Sequence, residues 1–441
     1  MKNLASLFLA LLPLAAFSQK EVRVYYDPQQ KKHIQEVYTV AQDDPEKIIG
    51  PYKRYYENGT VMVEGNFEDG EKSGTFTEYH DNGNPARKLI YVNGQRHGPV
   101  EVFNEEGKSI QRAYYQNDKL ADSIQMFFND GALRRETFFR KGKPDGLVKE
   151  YYPGGKLKKE IVYAGGKPNG MMRKFYPDGK IESEGNYKDG ILSGVYKNYH
   201  PNGQLQTIST MADGTKNGQF KSYDESGRLI LEGNFLGGKL HGENVAYYPD
   251  GQVQHRYQYK EGQKTGANVD YYPSGKVRLK EQVALNGIDA TRDEYAEDGK
   301  LLSTRKSRSG KPHGPSTYYH PDGKTIKIKE TYEAGKLSGI RYTYNASGRV
   351  LQEETFKFNL RTGPVKSYAE TGKLESVTEY RSNRRHGPFT AYHPNGKIET
   401  QGEYAADKQH KEWKTYDEQG NLLRTVIFRA GIPVETRDEQ K

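Results

Sequence analysis

A glycine recurs at a fixed interval along almost the whole chain. It stands at Gly59 and every 24 residues from there to Gly323, then at Gly348 after a step of 25, and every 24 residues again to Gly420. A period of this length is typical of a repeat array, in which each unit buries its side chains against its neighbours. We therefore interpret the 441 residues as about sixteen copies of one unit rather than as several globular domains.

The residues before each register glycine have the composition of a hairpin turn. An aromatic residue stands four positions earlier in every unit, from Tyr55 to Tyr416. Between the two lie sequences such as Pro177-Asp178, which favour a type I turn, and the glycine then supplies a left-handed conformation. The pattern predicts a hairpin connection with a glycine bulge.

A second strand follows each register glycine. Its second residue is usually aliphatic, its sixth is often small and its eighth is usually aromatic, as in Ile181, Gly185 and Tyr187. These even offsets place the three side chains on one face of the strand, where the small residue leaves room for a neighbouring ring. A second turn of the form Gly-x-x-x-Gly, as at Gly190 to Gly194, leads into the next unit.

Together these signals predict an all-β fold without helices and without a globular catalytic domain. Stacked 24-residue β-hairpins form an elongated, twisted antiparallel sheet. The first strand leaves two interpretations open. Its apolar residue, such as Phe76, and the aromatic residue Tyr79 differ by three positions, so either the strand is bulged or both sheet faces are covered. The extra residue between Gly323 and Tyr332 predicts a β-bulge.

The two ends depart from the repeat. Residues 1–18 have a positive start at Lys2 and a short apolar stretch, which predicts a signal peptide cleaved after Ser18 to leave Gln19. An N-terminal core helix is the alternative. Residues 19–49 are interpreted as a degenerate N-terminal cap and 50–428 as the repeat array. The C-terminal tail, 429–441, is expected to fray. No transmembrane segment is predicted in the mature chain.

Composition limits the chemistry. The chain has no cysteine, which excludes disulfides and thiolate sites, and its net charge of +9 is small for its length. Gly323-Lys324-Thr325 resembles the end of a phosphate loop, but Tyr318 stands where that motif needs glycine. Most of the 11 histidines fall at two repeat offsets, without a metal-ligand spacing. We therefore predict no catalytic residue, metal or cofactor, and no nucleic-acid partner.

Two recurring rows are candidate binding surfaces. The basic ladder follows the register glycines: Lys156, Lys180, Arg228, Lys276, Lys300, Lys373 and Lys397. It is either a track for a polyanion or anionic lipid, or a device for solubility. The tyrosine row follows the invariant aromatic residue: Tyr56, Tyr152, Tyr176, Tyr248 and Tyr272. It either stacks on sugars or a partner protein, or packs against the neighbouring turn.

The unit from Phe175 to Gly194 resembles the MORN-repeat variant family, bacterial relatives of membrane-occupation-and-recognition-nexus repeats. The resemblance implies stacked β-hairpins and roles in scaffolding, protein contact or lipid association rather than catalysis. Some members are described as antitoxin-like. With the signal peptide, this predicts an exported scaffold for protein–protein interaction, whether periplasmic, on the cell surface or secreted. The alternatives are an envelope binder of glycan, peptidoglycan or anionic lipid, and an antitoxin-like inhibitor of a partner toxin.

Overall fold

The computed structural model describes residues 19–439, and every regular element in that range is a β-strand. Its contacts divide the chain into two units, up to Thr215 and from Lys216 onward. Adjacent strands pair antiparallel within each unit, which confirms the all-β prediction of stacked hairpins. The predicted signal peptide and Ser18 lie outside the described residues, whereas Gln19 begins the first strand.

The strands of the first unit are β1 (Gln19–Asp27), β2 (Lys32–Ala41), β3 (Ile48–Tyr55), β4 (Val61–Glu68), β5 (Glu71–Tyr79), β6 (Pro85–Val92), β7 (Gln95–Arg96), β8 (Gly98–Phe103), β9 (Ser109–Gln116), β10 (Lys119–Phe127), β11 (Leu133–Arg140), β12 (Lys143–Pro144), β13 (Gly146–Tyr151), β14 (Leu157–Ala164), β15 (Lys167–Phe175), β16 (Ile181–Lys188), β17 (Ile191–Tyr199) and β18 (Leu205–Ala212).

The strands of the second unit follow, the first of them beginning one residue before the division: β19 (Thr215–Tyr223), β20 (Leu229–Leu236), β21 (Lys239–Tyr247), β22 (Val253–Lys260), β23 (Gln263–Lys264), β24 (Gly266–Tyr271), β25 (Val277–Val283), β26 (Asp289–Tyr295), β27 (Leu301–Arg308), β28 (Lys311–Tyr319), β29 (Ile326–Glu333), β30 (Lys336–Leu337), β31 (Gly339–Tyr344), β32 (Val350–Lys357), β33 (Leu360–Arg361), β34 (Gly363–Tyr368), β35 (Leu374–Arg381), β36 (Arg384–Tyr392), β37 (Ile398–Ala405), β38 (Lys408–Tyr416), β39 (Leu422–Arg429) and β40 (Ile432–Asp438).

Both turns of the repeat owe their geometry to left-handed residues. At the register turn the Gly179 N–H donates to Tyr176 O, and Gly179 has φ 97°, as predicted. The second turn is a two-residue loop in which both residues have positive φ, such as Asp189 and Gly190. Where glycine is missing, Asn117 and Asp118 adopt the same conformation, which short polar side chains tolerate.

The buried side chains form a line that we call the central stripe. It consists of the seventh residue before each register glycine and the sixth after it, which are cross-strand partners in most repeats, as are Phe76 and Leu89. The small sixth residue makes the predicted space for a ring. A Cβ on Gly65 would lie 2.5 Å from Phe76, and one on Gly185 would lie 2.6 Å from Tyr196.

The second interpretation of the first strand is correct, since both sheet faces are covered. Phe76 covers Gly65 on one face, whereas the Tyr79 hydroxyl reaches Glu64, the adjacent residue, on the other. The cross-strand register of β5 also shifts between Ser73 and Thr77, but pairing is regular from Phe76 to Glu78, so this irregularity does not account for the spacing of Phe76 and Tyr79. Each sheet face therefore has its own row of side chains, and the invariant aromatic residue lies opposite the central stripe.

The extra residue near Gly323 does not form a β-bulge, so that prediction was wrong. It lengthens the register turn, where the His320 N–H donates to Thr325 O, one residue further on than in the other register turns. The Asp322 carboxylate accepts the N–H groups of Lys324 and Thr325 and stabilises the longer loop. A turn accepts an insertion more easily than a paired strand because no ladder hydrogen bond has to break.

The two ends are also ordered as strands in the described residues. The stretches Tyr25-Tyr26 and Val37-Tyr38 lie in β1 and β2, which pair as a hairpin ahead of β3. The tail does not fray over Ile432–Asp438, because β40 pairs with β39 along most of its length. All its side chains are exposed, so backbone hydrogen bonds rather than burial hold it.

Candidate interaction surface

The tyrosine row connects successive repeats. Each of its residues is half-buried and donates its hydroxyl hydrogen bond to the backbone carbonyl of the invariant aromatic residue in the next repeat. The distances are 2.8–2.9 Å: Tyr56 to Tyr79 O, Tyr152 to Phe175 O, Tyr176 to Tyr199 O, Tyr248 to Tyr271 O and Tyr272 to Tyr295 O. Histidine makes the same contact elsewhere, as from His393 to Tyr416 O. These contacts satisfy a carbonyl at the end of each first strand.

The basic ladder is exposed at all seven positions. Three of its lysines donate to turn carbonyls of the next repeat: Lys180 to Pro201 O (3.1 Å), Lys373 to Pro394 O (2.6 Å) and Lys397 to Gln419 O (2.6 Å). Arg228 pairs with Asp224 at 2.8 Å and Lys300 with Asp298 at 2.9 Å. These acidic partners lower the net positive charge that the ladder presents to solvent. Lys156 and Lys276 complete the row.

A triad of tyrosine, glutamate and lysine recurs on the sheet face opposite the central stripe. The invariant tyrosine donates to a glutamate fifteen residues earlier, and a lysine pairs with the same carboxylate at 3.0–3.4 Å. The tyrosine–glutamate distances are 2.5–3.0 Å: Tyr79 to Glu64, Tyr199 to Glu184, Tyr247 to Glu232 and Tyr368 to Glu353. These glutamates were not predicted from the sequence, although their constant spacing from the aromatic residue could have identified them.

In the triads of Glu184 and Glu232 the pKa values of both the glutamate and the tyrosine are shifted. The hydrogen bond from Tyr199 lowers the pKa of Glu184. Burial and the hydrogen bond to Glu184 raise the pKa of Tyr199 to about 12, and Tyr247 is raised to about 12 for the same reasons. The tyrosine therefore stays protonated and the glutamate ionised at neutral pH, so the donor and acceptor roles are fixed.

On the other sheet face, basic side chains cover the rings beside the central stripe. They stand eleven residues before the register glycine and form a second basic row, which was not predicted from the sequence. Each lies over the aromatic residue eight positions after that glycine: Lys72 over Tyr91, Arg96 over Tyr115, Lys216 over Phe235, Arg361 over Tyr380 and Arg385 over Tyr404. Cation–π contacts of this kind shield the rings while keeping the charges in water.

In one part of the second unit the central stripe changes from apolar to polar. We call this part the charged seam: Asn268, Glu281, Arg292, Arg305, Ser316, Glu330, Arg341 and Glu354. The three glutamates are each 4–5% exposed. Their cationic partners are Arg292 for Glu281 (2.5 Å), Arg341 for Glu330 (3.5 Å) and Arg361 for Glu354 (2.6 Å). The carboxylates are buried while the cations remain one-third to one-half exposed, so the seam presents positive charge outward.

Within 19–439 no group of three or more histidine, aspartate or glutamate side chains is placed to hold a metal ion. Over the same range no helix is long and apolar enough to cross a membrane.

A family model described as the MORN repeat variant matches more than half of the chain. The matched segments are 49–69, 72–93, 96–117, 144–164, 168–189, 192–213, 216–236, 240–261, 361–382, 385–406 and 409–430. Residues 262–360 fall between matches and contain the charged seam. Among curated proteins, none matches the chain.

Two of the solved structures with a partial likeness to this chain are toxin-complex chains. One is described as the Photorhabdus luminescens Tc holotoxin pore with a TccC3-D651A mutation: identity is 11%, TM-score 0.16, and coverage is 93% of this chain and 25% of that one. A second, TcdB2-TccC3, has 11% identity, TM-score 0.15, and coverage of 95% and 29%. The chain thus spans between a quarter and a third of the length of these structures.

Proposed function

We propose that this chain, which belongs to the MORN repeat variant family, is an exported, non-enzymatic scaffold that binds a protein partner at the cell envelope. The proposal of export rests on residues 1–18, whose positive start and short apolar stretch are typical of a signal peptide. The proposal of protein binding rests on the triads of tyrosine, glutamate and lysine, and the sheet face that carries them is called the triad surface.

The recurring triads are the observation that carries this proposal. Tyrosine and lysine are held in place by a shared carboxylate, as Tyr247 and Lys221 are by Glu232. A side chain that is already ordered loses less conformational entropy when a partner binds. Tyrosine is also enriched among the residues that dominate protein–protein binding energy. Each unit carries two such ordered polar patches, and these suit contact with another protein.

Two alternatives make different demands on the surface. An envelope binder of peptidoglycan, glycan or anionic lipid would use the basic ladder, and its binding would fall steeply with salt. Several ladder cations already hydrogen-bond to turn carbonyls or pair with aspartates, as Lys373 and Arg228 do. An antitoxin-like inhibitor would hold a single tight partner through the same triad surface.

The test uses residues 19–441 as bait against a crosslinked envelope-protein extract, peptidoglycan and outer-membrane vesicles, each over a salt series. We expect one or a few proteins to be captured at high salt. We also expect the Glu184→Gln/Glu232→Gln variant to capture less, because a neutral amide no longer pairs with Lys197 or Lys221 and accepts more weakly from the two tyrosines.

The matched control is Glu57→Gln/Glu297→Gln, which changes the same number of charges at exposed loop positions. Salt-sensitive pelleting with peptidoglycan or vesicles alone, without captured protein, would refute the proposal in favour of the ligand-binding alternative. Equal loss of capture in both variants would show that the triads are not the contact.

A further inference from the structure

Two arginines face each other in the middle of the charged seam. Arg292 on β26 and Arg305 on β27 are cross-strand partners. Side chains in such a pair lie about 5 Å apart at Cβ, where like charges are destabilising. Their side chains are 47% and 43% exposed, so both guanidiniums reach solvent.

The nearby carboxylates do not balance this pair. Glu281 accepts from Arg292 at 2.5 Å but also pairs with Lys264 at 3.4 Å. Glu294 accepts from Arg305 Nη2 at 2.8 Å, while Arg305 Nε is buried without a hydrogen-bond partner among the described protein groups. The three cations thus share two carboxylates, which leaves one net positive charge.

The other carboxylates of the seam are engaged elsewhere. Asp270 accepts from Tyr257 at 2.5 Å and from Arg278 at 2.7 Å, and Glu330 accepts from Tyr332 at 2.8 Å. Among the described residues of the stripe, these carboxylates therefore do not pair with Arg292 or Arg305.

The side chains that cover the central stripe elsewhere are replaced at this point. The eighth residue after the register glycine is aromatic in most repeats but is Val283 and Ser307 here. The position that holds a covering cation in other repeats is occupied by Ile288 and Pro312. Val283, Ile288 and Pro312 offer no side-chain acceptor, so within residues 19–439 the guanidinium N–H groups that do not contact Glu281 or Glu294 face few side-chain acceptors at these positions.

On the basis of the proposed function, we infer that Arg292 and Arg305 bind a carboxylate-bearing segment of the protein partner. The planar guanidinium fork matches a carboxylate in two parallel hydrogen bonds. The site is a short positive island, bordered along the stripe by the buried Glu281 and Glu330. One or two acidic side chains fit such an island, whereas a continuous polyanion or a lipid surface would meet the exposed ladder as readily.

The test measures binding of a fluorescent oligoglutamate peptide to residues 19–441 by anisotropy, at low and at physiological ionic strength. We expect saturable binding that Arg292→Gln/Arg305→Gln weakens by about tenfold or more, because charge-assisted hydrogen bonds are lost. Arg292→Lys/Arg305→Lys keeps the charge but not the fork and is expected to bind with intermediate affinity. Amide hydrogen exchange within residues 289–308 should slow when the peptide is bound.

The control Lys260→Gln/Lys357→Gln removes two exposed charges from the same unit and should change binding by less than about twofold. Hydrogen exchange of each free variant checks that β26 and β27 remain formed. Equal weakening in the variant and the control would overturn the inference, as would site-dependent binding of inorganic phosphate or phosphatidylglycerol vesicles without binding of the peptide. If Arg292→Gln/Arg305→Gln still captures the envelope partner fully, this inference fails and the proposed function stands.

Discussion

Two segments of the second unit solve the same packing problem with opposite chemistry. In the aromatic segment, residues 389–428, Phe389, Tyr404, Trp413 and Phe428 contact one another with ring centroids 4.9–6.3 Å apart. In the charged seam the positions of Phe389 and Trp413 include Arg292 and Arg341. Their cross-strand partner position, which is Gly402 beside Phe389, holds glutamate or arginine there. Burying rings is favourable in itself, whereas burying charges repays the loss of hydration only through good pairing.

The backbone pairing of the two segments does not reflect this difference in side chains. Apart from the longer turn at Gly323, the register turns of both segments close with the same hydrogen bonds, such as Tyr272 N–H to Lys276 O and His393 N–H to Lys397 O, each 2.8 Å. The cross-strand register is also equivalent, since Arg292 faces Arg305 as Phe389 faces Gly402. Turn chemistry and the strand ladder therefore specify the repeat, and the central stripe is left free to vary. The seam is then a local departure that the fold tolerates.

The largest expected effect is in the aromatic segment. Trp413 is 6% exposed, and its indole N–H donates to Glu403 O. Trp413→Ala should reduce the stability of the surrounding hairpins by about 3–5 kcal/mol through cavity formation and an unmade hydrogen bond. Hydrogen exchange resolved by segment is the measurement, because a repeat array need not unfold in one step. An effect spread evenly over the whole chain would contradict this local account.

A slightly smaller loss is expected when one partner of a seam pair is removed. Glu354→Ala leaves the Arg361 guanidinium without its 2.6 Å partner and opens space at a buried position, so it should cost about 1–3 kcal/mol in the segment around β32 and β33. The exposed Glu297→Ala serves as the control and should change stability by less than about 0.5 kcal/mol. A Glu354→Ala variant as stable as the parent would mean that the pair contributes nothing beyond its backbone.

Removing both partners should reverse the sign. Glu354→Leu/Arg361→Met replaces the pair with apolar groups, and we expect no change or a gain of up to about 2 kcal/mol by the same exchange measurement. That result would make the seam resemble the aromatic segment and would point to a role other than stability. A loss as large as that of Glu354→Ala would instead mean that the ion pair is the better packing solution at this site.

The smallest effect concerns alkaline pH. Burial and hydrogen bonds to carboxylates raise the pKa values of Tyr257 and Tyr332, which both lie beside the seam. A raised folded-state pKa contributes stability below the unfolded value near 10, and this contribution is lost as pH rises above it. Thermal unfolding as a function of pH should therefore decline more gently for Tyr332→Phe than for the parent. Identical pH profiles would exclude this coupling.

Sequence patterns predicted the local features well. The period, the register turn and the role of small residues such as Gly65 each depend on residues close together in the chain. The position of the extra residue near Gly323 was predicted wrongly. The sequence shows that one residue is inserted, but not whether the insertion lengthens a turn or bulges a strand. The glutamates of the triads were missed because their partners lie fifteen residues away across a strand pair.

The sequence by itself determined the repeat, its two turns and the alternation of its strands, because these follow from backbone preferences over a few residues. Only the tertiary structure decided what each side chain does. The hydroxyl of Tyr248 binds a carbonyl 23 residues on, and Arg292 is set against both Glu281 and Arg305. Such contacts depend on the register between neighbouring strands, and a shift of one residue would send each side chain to the opposite face.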